Sequence, residues 1–420
     1  MCENRRVFES FGGVPPRRDP DVPRFLPFRG LRYTTDNLTA VAAPPYDVID
    51  DDERAALADR HVRNAVQLIL PDGPAESRYE TAAALLADWQ AEGFLAGDPE
   101  PRFYGYRMRF RDDTGRERIT DGILGALELP EAAGTGDVLP HERTLPKAKS
   151  DRLALLRATR ANLDPIWGLS PEAGLSALAA GGTPLGSCTD TDGVEHSISA
   201  IDDPASVAAI EAAVAGSPVV LADGHHRFET AINYRNEQRA AGVARPGDAA
   251  IMCLVVELAD DQLSVQPIHR LLSSVPAGFD LRAALADHAT LSDAGPNTAE
   301  GVAALSARMR TEGGLGLVDA SGLAFVAPHD TDPGTSDAAR FEAAVTPALP
   351  ESVEVSYRDD APTCAALVDK GVAAAAVLLR PVTVAQIRTT ADARTRMPQK
   401  TTFFAPKPRT GAVFRLLDQP

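Results

Sequence analysis

The chain has 420 residues, of which 44% are hydrophobic and 24% charged, and its 42 lysines and arginines against 59 aspartates and glutamates give a formal net charge of -17. This composition is typical of a globular protein, and at roughly 150 residues per domain the length predicts two or three domains. An acidic surface repels phosphate backbones and anionic bilayers, which disfavours general nucleic-acid and membrane binding. An anionic ligand would therefore need a local basic pocket.

The cysteines and the N-terminal sequence indicate a cytoplasmic protein. Cys2, Cys188, Cys253 and Cys364 are far apart and form no C-x-x-C pair, which argues against a structural zinc site and a disulfide scaffold. Residues 1–24 are rich in Pro, Gly and Arg, lack the apolar core of a signal peptide, and are predicted to form a flexible leader. No window approaches about 18 uninterrupted apolar residues, so we expect no membrane-spanning helix.

Ordered structure is predicted to begin near residue 25. Two prolines in APPYDVI (43–49) hold the backbone extended before a helix that opens at Asp50–Asp52. The spacing of apolar residues predicts a helix over 76–93. Two apolar segments, 102–110 and 118–129, flank an Asp-Asp-Thr-Gly turn and predict a β-hairpin.

The middle of the chain alternates loops, strands and helices. The segment 138–169 is predicted to be a polar loop followed by a helix that Ser150 caps. Residues 217–242 predict a short apolar strand, a sharp Asp-Gly turn and a helix. A second β-hairpin is predicted from 251–258 and 263–272.

The remainder is predicted to form an α/β lobe with a basic tail. Residues 276–390 mix alanine-rich helical patterns with short strands, including a buried strand at 373–380, and contain no obvious chemistry. The last segment, 394–417, is rich in Lys and Arg and contains no acid. Such a segment is a candidate for the local basic pocket that the net charge requires.

The strongest chemical signal is ADGHHR (222–227) at the strand-to-helix turn. A glycine that opens a helix places the positive end of the helix dipole against whatever lies in front, which suits an anion, and Arg227 adds a bidentate donor. His225 and His226 point about 100° apart on a helix, so they bind one metal less easily than an i, i+4 pair, and no direct protein ligand of a metal is assigned. The alternative is that Asp223 simply caps the helix.

A second candidate is the polar loop PHERTLPKAKSD, which carries His141, Glu142, Thr144 and Lys147 ahead of a helix. Catalytic residues are concentrated in loops that rigid elements hold. A glutamate among cations is ionised, which suits a general base for an alcohol. The alternative is a solvated run of charges.

Three further groups of residues are candidates with equally plain structural alternatives. Tyr46 and Asp47 follow a rigid proline turn and could hold an amine or a metal ion, or form a turn and helix cap. The basic segment RMPQKTTFFAPKP (396–408) suits a single di- or triphosphate better than a nucleic acid in a chain of this charge. His269 and Arg270 close a strand, where a lone histidine is often structural.

Several motifs together resemble a widespread bacterial and archaeal family of conserved proteins of unknown function. They are PFRGLRY, APPYDVI, LPHERT, DGHHR, PIHR and RMPQKTTFFAPK, and they extend over about Phe25 to Leu417. DGHHR is in turn similar to the ParB/sulfiredoxin-like superfamily, whose free-serine kinases carry a near-identical element and an upstream catalytic glutamate. The resemblance implies a mixed α/β (α+β) fold: a ParB/sulfiredoxin-like core with large insertions over 25–275, and an α/β lobe over 276–420 whose basic tail returns to the active site.

The resemblance also implies a cytoplasmic phosphotransferase that converts free L-serine to O-phosphoserine, with Mg²⁺ and ATP, ADP or pyrophosphate as the phosphoryl donor. The implied catalytic residues are Glu142, Asp223, His225 and His226. The implied donor-binding residues are Gly224, Arg227, His141, Thr144, Lys147, Arg152, Lys400, Thr401 and Lys407. The implied substrate-binding residues are Tyr46, Asp47, His269 and Arg270. The expected partners are the substrate and the donor, with a homo-oligomer possible.

Two other classes of function remain open at this stage. One is a ParB-like switch that binds and hydrolyses CTP or ATP, and the other is a non-catalytic DNA-associated module. The chain departs from ParB in lacking a basic helix-turn-helix, and from sulfiredoxin in having His225 where that family has a reactive cysteine. Nucleotide turnover that serine does not stimulate would favour the switch, and salt-dependent DNA retardation would favour the module.

Overall fold

A computed structural model describes residues 23–74, 77–112, 115–140, 149–286, 288–330 and 332–419, so the predicted leader lies outside the described residues as far as position 22. The strands are β1 (Phe25–Leu26), β2 (Gly30–Tyr33), β3 (Leu95–Gly97), β4 (Phe103–Arg111), β5 (Glu117–Glu128), β6 (Val138–Pro140), β7 (Ala161–Asn162), β8 (Ile166–Ser170), β9 (Thr183–Thr189), β10 (Glu195–Ile201), β11 (Val219–Asp223), β12 (Ala250–Glu257), β13 (Val265–Gln266), β14 (His269–Ser273), β15 (Ala289–Gly295), β16 (Leu315–Asp319), β17 (Gly322–Pro328), β18 (Glu354–Arg358), β19 (Ala375–Leu378), β20 (Phe403–Phe404) and β21 (Phe414–Leu416). The α-helices are α1 (Asp51–Arg60), α2 (Val66–Ile69), α3 (Arg78–Ala91), α4 (Lys149–Thr159), α5 (Leu175–Ala179), α6 (Pro204–Ala215), α7 (His225–Ala240), α8 (Leu281–Leu285), α9 (Ala299–Glu312), α10 (Asp337–Arg340), α11 (Ala361–Asp369) and α12 (Val384–Asp392).

We call the part of the chain built on the nine-stranded central sheet the first lobe, and the part built on the six-stranded sheet the second lobe. Apolar side chains pack on both faces of the central sheet. Its order is β6-β11-β8-β12-β5-β4-β10-β9, with β1 also paired to β5. Along β12, Cys253 and Val255 pack into the core on one face, while Met252, Leu254 and Val256 pack into the core on the other. Because successive side chains of a strand point to opposite faces, burial on both sides explains the uninterrupted apolar sequence of β12.

A smaller sheet ties the end of the chain to the first lobe. Its order is β3-β2-β21-β7, and β21 pairs antiparallel with both β2 and β7. Arg415 on β21 is only 3% exposed and donates hydrogen bonds to the carbonyl oxygens of Ala250 and Gly247. The last strand therefore belongs to the core of the first lobe, although it follows the second lobe in sequence.

The second lobe is an antiparallel sheet of six strands in the order β15-β17-β16-β19-β14-β18. One face packs against Val302 of α9 and Cys364 of α11. The other face packs against Leu281 of α8 and Phe341. The predicted buried strand is β19, which lies in the interior of this sheet.

Two predictions of local structure are wrong. The second hairpin does not form, because both edges of β12 are already occupied by β5 and β8. The following chain instead gives β13, which pairs with β20, and β14, which enters the sheet of the second lobe. Helix α4 begins at Lys149, one residue before the predicted cap, and ends at Thr159 because Arg160 has a left-handed φ of 51°.

Other predictions are confirmed. Helix α1 begins after Asp50, whose Oδ1 accepts a hydrogen bond from the Glu53 backbone N–H at 2.8 Å. Strands β4 and β5 form the first predicted hairpin, and β11 and α7 form the predicted strand-turn-helix unit. The combination of several sheets with helices confirms the mixed α/β class. None of the helices in the described part of the chain combines the length and hydropathy that crossing a bilayer requires.

Candidate functional site

The turn between β11 and α7 is built around Gly224. This residue has a φ of 86°, in the left-handed region that glycine adopts without steric cost. A Cβ atom here would lie 2.8 Å from Cγ2 and 3.1 Å from Cα of Ile166, so a larger residue does not fit. The close approach puts Asp223 at the end of the strand and His225 at the start of a 16-residue helix. The positive end of the helix dipole therefore lies at this turn.

We expect Gly224→Ala to lower the free energy of unfolding by about 3 kcal/mol, because it adds a steric clash to backbone strain. The matched control is Gly242→Ala, just beyond the other end of α7. Gly242 also has a positive φ, 70°, but its Cβ would meet no atom within 4 Å, so strain alone should cost about 1 kcal/mol. Urea denaturation of the two variants measures the difference, and equal losses would contradict the steric argument.

Lys407 links two carboxylates that are far apart in the sequence. Its Nζ lies 2.8 Å from Oδ2 of Asp47 and 3.4 Å from Oδ1 of Asp223, and Nη2 of Arg227 donates to Oδ2 of Asp223 at 3.1 Å. Burial opposes the charged form of Lys407, but Asp223 and Asp47 outweigh it and raise the pKa of the amine. Burial also opposes ionisation of Asp47, but Lys407 and Arg227 together lower the pKa of this carboxyl. We call these four residues the ionic cluster.

The guanidinium groups of Arg152 and of Arg227, which belongs to the ionic cluster, both lie near the ring of Tyr46. Cζ of Arg152 lies 4.2 Å and Cζ of Arg227 lies 5.8 Å from the centroid of the Tyr46 ring. Arg152 Nη1 donates to the carbonyl oxygen of Ile69 at 2.8 Å, and Arg227 Nη1 donates to that of Pro165 at 2.7 Å. Burial raises the pKa of Tyr46, which keeps its hydroxyl neutral. The two arginines are thus fixed positive charges held by backbone carbonyls.

Asp164 is a buried acid beside the ionic cluster that the sequence analysis missed. It is 7% exposed and accepts a hydrogen bond from Oγ1 of Thr410. Burial raises the pKa of Asp164 to about 6, although Arg227 and Arg152 act in the opposite direction. The sequence feature that could have identified Asp164 is that it is the single acid within the otherwise uncharged segment 161–170.

A cleft of about 770 Å³ opens beside the ionic cluster and is lined in part by Pro45, Phe403 and Lys407. This volume lies within the range of about 300–1,000 Å³ found for small-molecule sites. A larger cleft of about 890 Å³ on β9 and β10 contains none of the residues of the ionic cluster. The ionic cluster is therefore accessible to a small ligand from the Lys407 side.

The structure places the other predicted residues of the first lobe and the tail in different surroundings. His141, Glu142, Thr144 and Lys147 lie outside the described residues. His225 and His226 form the first turn of α7 and are half-buried. In the tail, Lys400 is exposed, whereas Thr401 is buried and its hydroxyl donates to the Pro398 carbonyl at 2.6 Å. Of the three tail residues predicted to bind the donor, Lys407 is the one that the structure brings into the ionic cluster.

His269 and Arg270 lie on β14 in the sheet of the second lobe. Nδ1 of His269 accepts from the backbone N–H of Leu379 at 3.1 Å, and burial lowers its pKa to about 4. Arg270 is 2% exposed, donates to the carbonyl oxygen of Lys400 at 2.9 Å, and lies 4.9 Å from the centroid of the Tyr357 ring. The hydrogen bond from Arg270 to Lys400 holds the tail against the second lobe, and none of these contacts is with the ionic cluster.

The site contains two carboxylates of the kind that take part in holding a magnesium ion. Within the described ranges, no group of three or more His, Cys, Asp or Glu side chains could hold a metal by itself. Asp47 and Asp223 nevertheless supply two carboxylates on either side of Lys407. Mg²⁺ in phosphoryl-transfer sites is usually held by one or two carboxylates together with phosphate oxygens and water. A donor that carries its own phosphates could complete such a set.

Comparison with known proteins gives one family and several partly similar structures. The family described as "Protein of unknown function (DUF1015)" matches residues 25–350. No curated protein matches the chain by sequence. A free serine kinase in complex with AMP is 11% identical, with 64% of this chain and 84% of that chain covered and a TM-score of 0.36. A conserved hypothetical protein from Pyrococcus furiosus is 11% identical (67% and 93% covered, TM-score 0.36), and C-terminally truncated SbnI from Staphylococcus aureus is also 11% identical (69% and 86% covered, TM-score 0.36).

Proposed function

This chain belongs to the DUF1015 family of proteins of unknown function, and we propose that it is a phosphotransferase acting on the hydroxyl of a small amino acid. The acceptor that its sequence motifs favour is free L-serine, and the donor is a nucleotide or pyrophosphate. The observation that carries the proposal is the ionic cluster, in which Lys407 from the tail meets Asp47 and Asp223 at the N-terminus of α7. Three distant segments of the chain combine there into one charged site.

Phosphoryl transfer needs positioning and positive charge more than covalent help from the protein. Lys407 supplies an ammonium group, Arg227 supplies a guanidinium group, and the dipole of α7 adds positive potential at the same turn. These groups would neutralise the charge on the transferring phosphoryl group. His225, His226 and Gly224 lie in the same turn, where their predicted contacts with the donor would be made.

The acidic residues of the site suit an amino-acid acceptor. The side chain of Asp47 is 37% exposed and ionised, so it can receive the ammonium group of the substrate, with Tyr46 beside it. Asp223 would hold the acceptor hydroxyl or Mg²⁺, which when bound would polarise the phosphoryl oxygens. Lys407 lies between these two carboxylates.

We propose Glu142 as the general base on the strength of its motif, since it lies outside the described residues. Described residues on both sides of it border the site. Pro140 pairs with Leu221, two residues before Asp223, and Arg152 in α4 contacts the Tyr46 ring.

The direct test is to incubate the protein with Mg²⁺, L-serine and, separately, ATP, ADP or pyrophosphate, and to measure O-phosphoserine by mass spectrometry. We expect one donor to give phosphoserine. Glu142→Gln should abolish turnover and leave donor binding, measured by calorimetry, largely intact. The matched control is Glu131→Gln, whose side chain is 81% exposed and pairs only with Arg239 among the described ion pairs. Absence of phosphoserine with all three donors would rule out the serine-kinase function, and nucleotide hydrolysis unaffected by serine would favour a nucleotide switch.

A further inference from the structure

A buried chain of polar groups ends on the tail segment that carries Lys407. The backbone N–H of Arg409 donates to the hydroxyl of Tyr106 at 2.8 Å, and this hydroxyl lies 3.0 Å from Nδ1 of His196. Nε2 of His196 in turn lies 3.2 Å from Oδ2 of Asp190. Tyr106 is 2% and His196 3% exposed, so water does not compete for these contacts.

The hydrogen bonds of this buried network admit one consistent assignment of donors and acceptors. Because the Arg409 N–H donates to the tyrosine oxygen, the hydroxyl hydrogen of Tyr106 is available for Nδ1 of His196. Nε2 of His196 then carries the hydrogen and donates to Asp190, a tautomer that follows from the network. Burial lowers the pKa of His196, against the opposing effect of Asp190, which agrees with a neutral imidazole.

Asp190 also contacts the side chain of Arg409, in addition to the backbone contact made by Tyr106. Nη1 of Arg409 lies 3.8 Å from Oδ2 of Asp190. Oδ1 of Asp190 accepts from the backbone N–H groups of Asp192 and Val194, at 3.0 and 2.9 Å, which fixes the carboxylate in the turn between β9 and β10. Both the backbone and the side chain of Arg409 are thus attached to rigid parts of the central sheet.

Arg409 lies between the two tail residues that contact the acids of the site. Lys407 binds Asp47 and Asp223, and the Thr410 hydroxyl binds Asp164. The backbone of Thr410 also exchanges two hydrogen bonds with Ala43, at 2.9 and 3.0 Å, at the start of the segment that carries Asp47. A displacement of Arg409 would therefore move Lys407 relative to its carboxylates.

We propose that Tyr106, His196 and Asp190 are positioning residues that set the location of Lys407 through Arg409. The role in catalysis rests on the proposed function, but the effect on Lys407 does not. We assign none of the three a contact with the substrate, although Asp190, like Arg409, lines the cleft beside Lys407. They act because a hydrogen-bonded chain on the central sheet holds the tail at the distance from which Lys407 reaches Asp47 and Asp223.

The experiment compares two tyrosine variants on the same strand. Tyr106→Phe removes the hydroxyl that holds Arg409. Tyr104→Phe removes an equally buried hydroxyl two residues away, which binds the Gly30 N–H and Asp98 instead. A short pulse of acetic anhydride, followed by mass spectrometry, measures the acylation rate of the Lys407 amine, with exposed Lys370 as the reference within each sample. His196→Gln is a second variant that interrupts the same hydrogen-bonded network, in case Tyr106→Phe folds poorly.

We expect Tyr106→Phe and His196→Gln to raise the acylation rate of Lys407 relative to Lys370 by about fivefold, which is the population shift that the loss of one buried hydrogen bond produces. Tyr104→Phe should leave this ratio unchanged. With serine and a donor, Tyr106→Phe should lower kcat more than it changes the KM for serine. An unchanged ratio in both Tyr106→Phe and His196→Gln, or an equal rise in Tyr104→Phe, would overturn the proposal. A selective rise in a protein that forms no phosphoserine would support the positioning role and reject the proposed function.

Discussion

Replacement of Lys407 by methionine is expected to lower kcat for phosphoserine formation by about 10²- to 10³-fold, the usual effect of removing one preorganised charge from a transfer site. Methionine keeps an unbranched apolar stem but removes the ammonium group that lies 2.8 Å from Asp47 and 3.4 Å from Asp223. The two carboxylates would then face the incoming phosphates without the cation between them. Their repulsion should appear in kcat, where the phosphoryl group moves, more than in the KM for serine.

Steady-state kinetics at saturating donor measures this effect, with Lys370→Met as the control. Lys370 directly follows α11 in the second lobe and is exposed, so its replacement makes the same change in net charge away from the ionic cluster. The control should retain the full rate. Equal rates for the two variants would exclude Lys407 from the reaction.

Asp164→Asn is expected to gain up to about 3 kcal/mol of unfolding free energy over the parent protein between pH 4 and pH 7, the equivalent of a two-unit pKa difference. The pKa of Asp164 is raised from 3.8 to about 6 by burial. Between these values the folded parent keeps the proton that the unfolded chain has lost, so its stability falls as the pH rises. Asparagine has no such titration, and its amide oxygen can still accept from the Thr410 hydroxyl.

Urea unfolding of the parent and of Asp164→Asn across this pH range tests both the sign and the size of the expected difference in unfolding free energy. Asp190→Asn is a control of opposite sign. Burial opposes ionisation of Asp190, but the hydrogen bonds from His196 and from the backbone of Val194 outweigh it and lower the pKa. Asp190 therefore stabilises the fold above its unfolded pKa, and its replacement should cost stability at neutral pH. If the unfolding free energies of Asp164→Asn and the parent changed with pH in parallel, the raised pKa assigned to Asp164 would be contradicted.

The parts of the site that are local in sequence could be predicted from the sequence. The strand, the Asp-Gly turn and the helix at 217–242 follow from apolar spacing and from a glycine where only a left-handed backbone fits. The α1 cap at Asp50 is equally local. The pairing of β21 with β2 and β7 brings the end of the described chain to the first lobe. That the basic tail returns to an active site, as the family resemblance implies, stays a prediction.

The parts that depend on long-range packing could not be predicted. Asp164 was missed because its burial near Arg227 and Thr410 depends on segments about 60 and 250 residues away. The second hairpin failed for a similar reason: nothing in the sequence of β12 shows that both its edges are occupied. His196 and Tyr106 are 90 residues apart in the sequence, so no local motif indicates their contact.

The position of β21 has a consequence for the order in which the protein matures on the ribosome. Synthesis proceeds from the N-terminus, and domains tend to fold as they emerge. Until residues 407–416 have been added, Asp47 and Asp223 lack the ammonium group that joins them, and one edge of β2 has no neighbour. The proposed site is therefore incomplete until residues 407–416 have been made. A chain that stops within the second lobe would expose an open strand edge, a hallmark of aggregation-prone products.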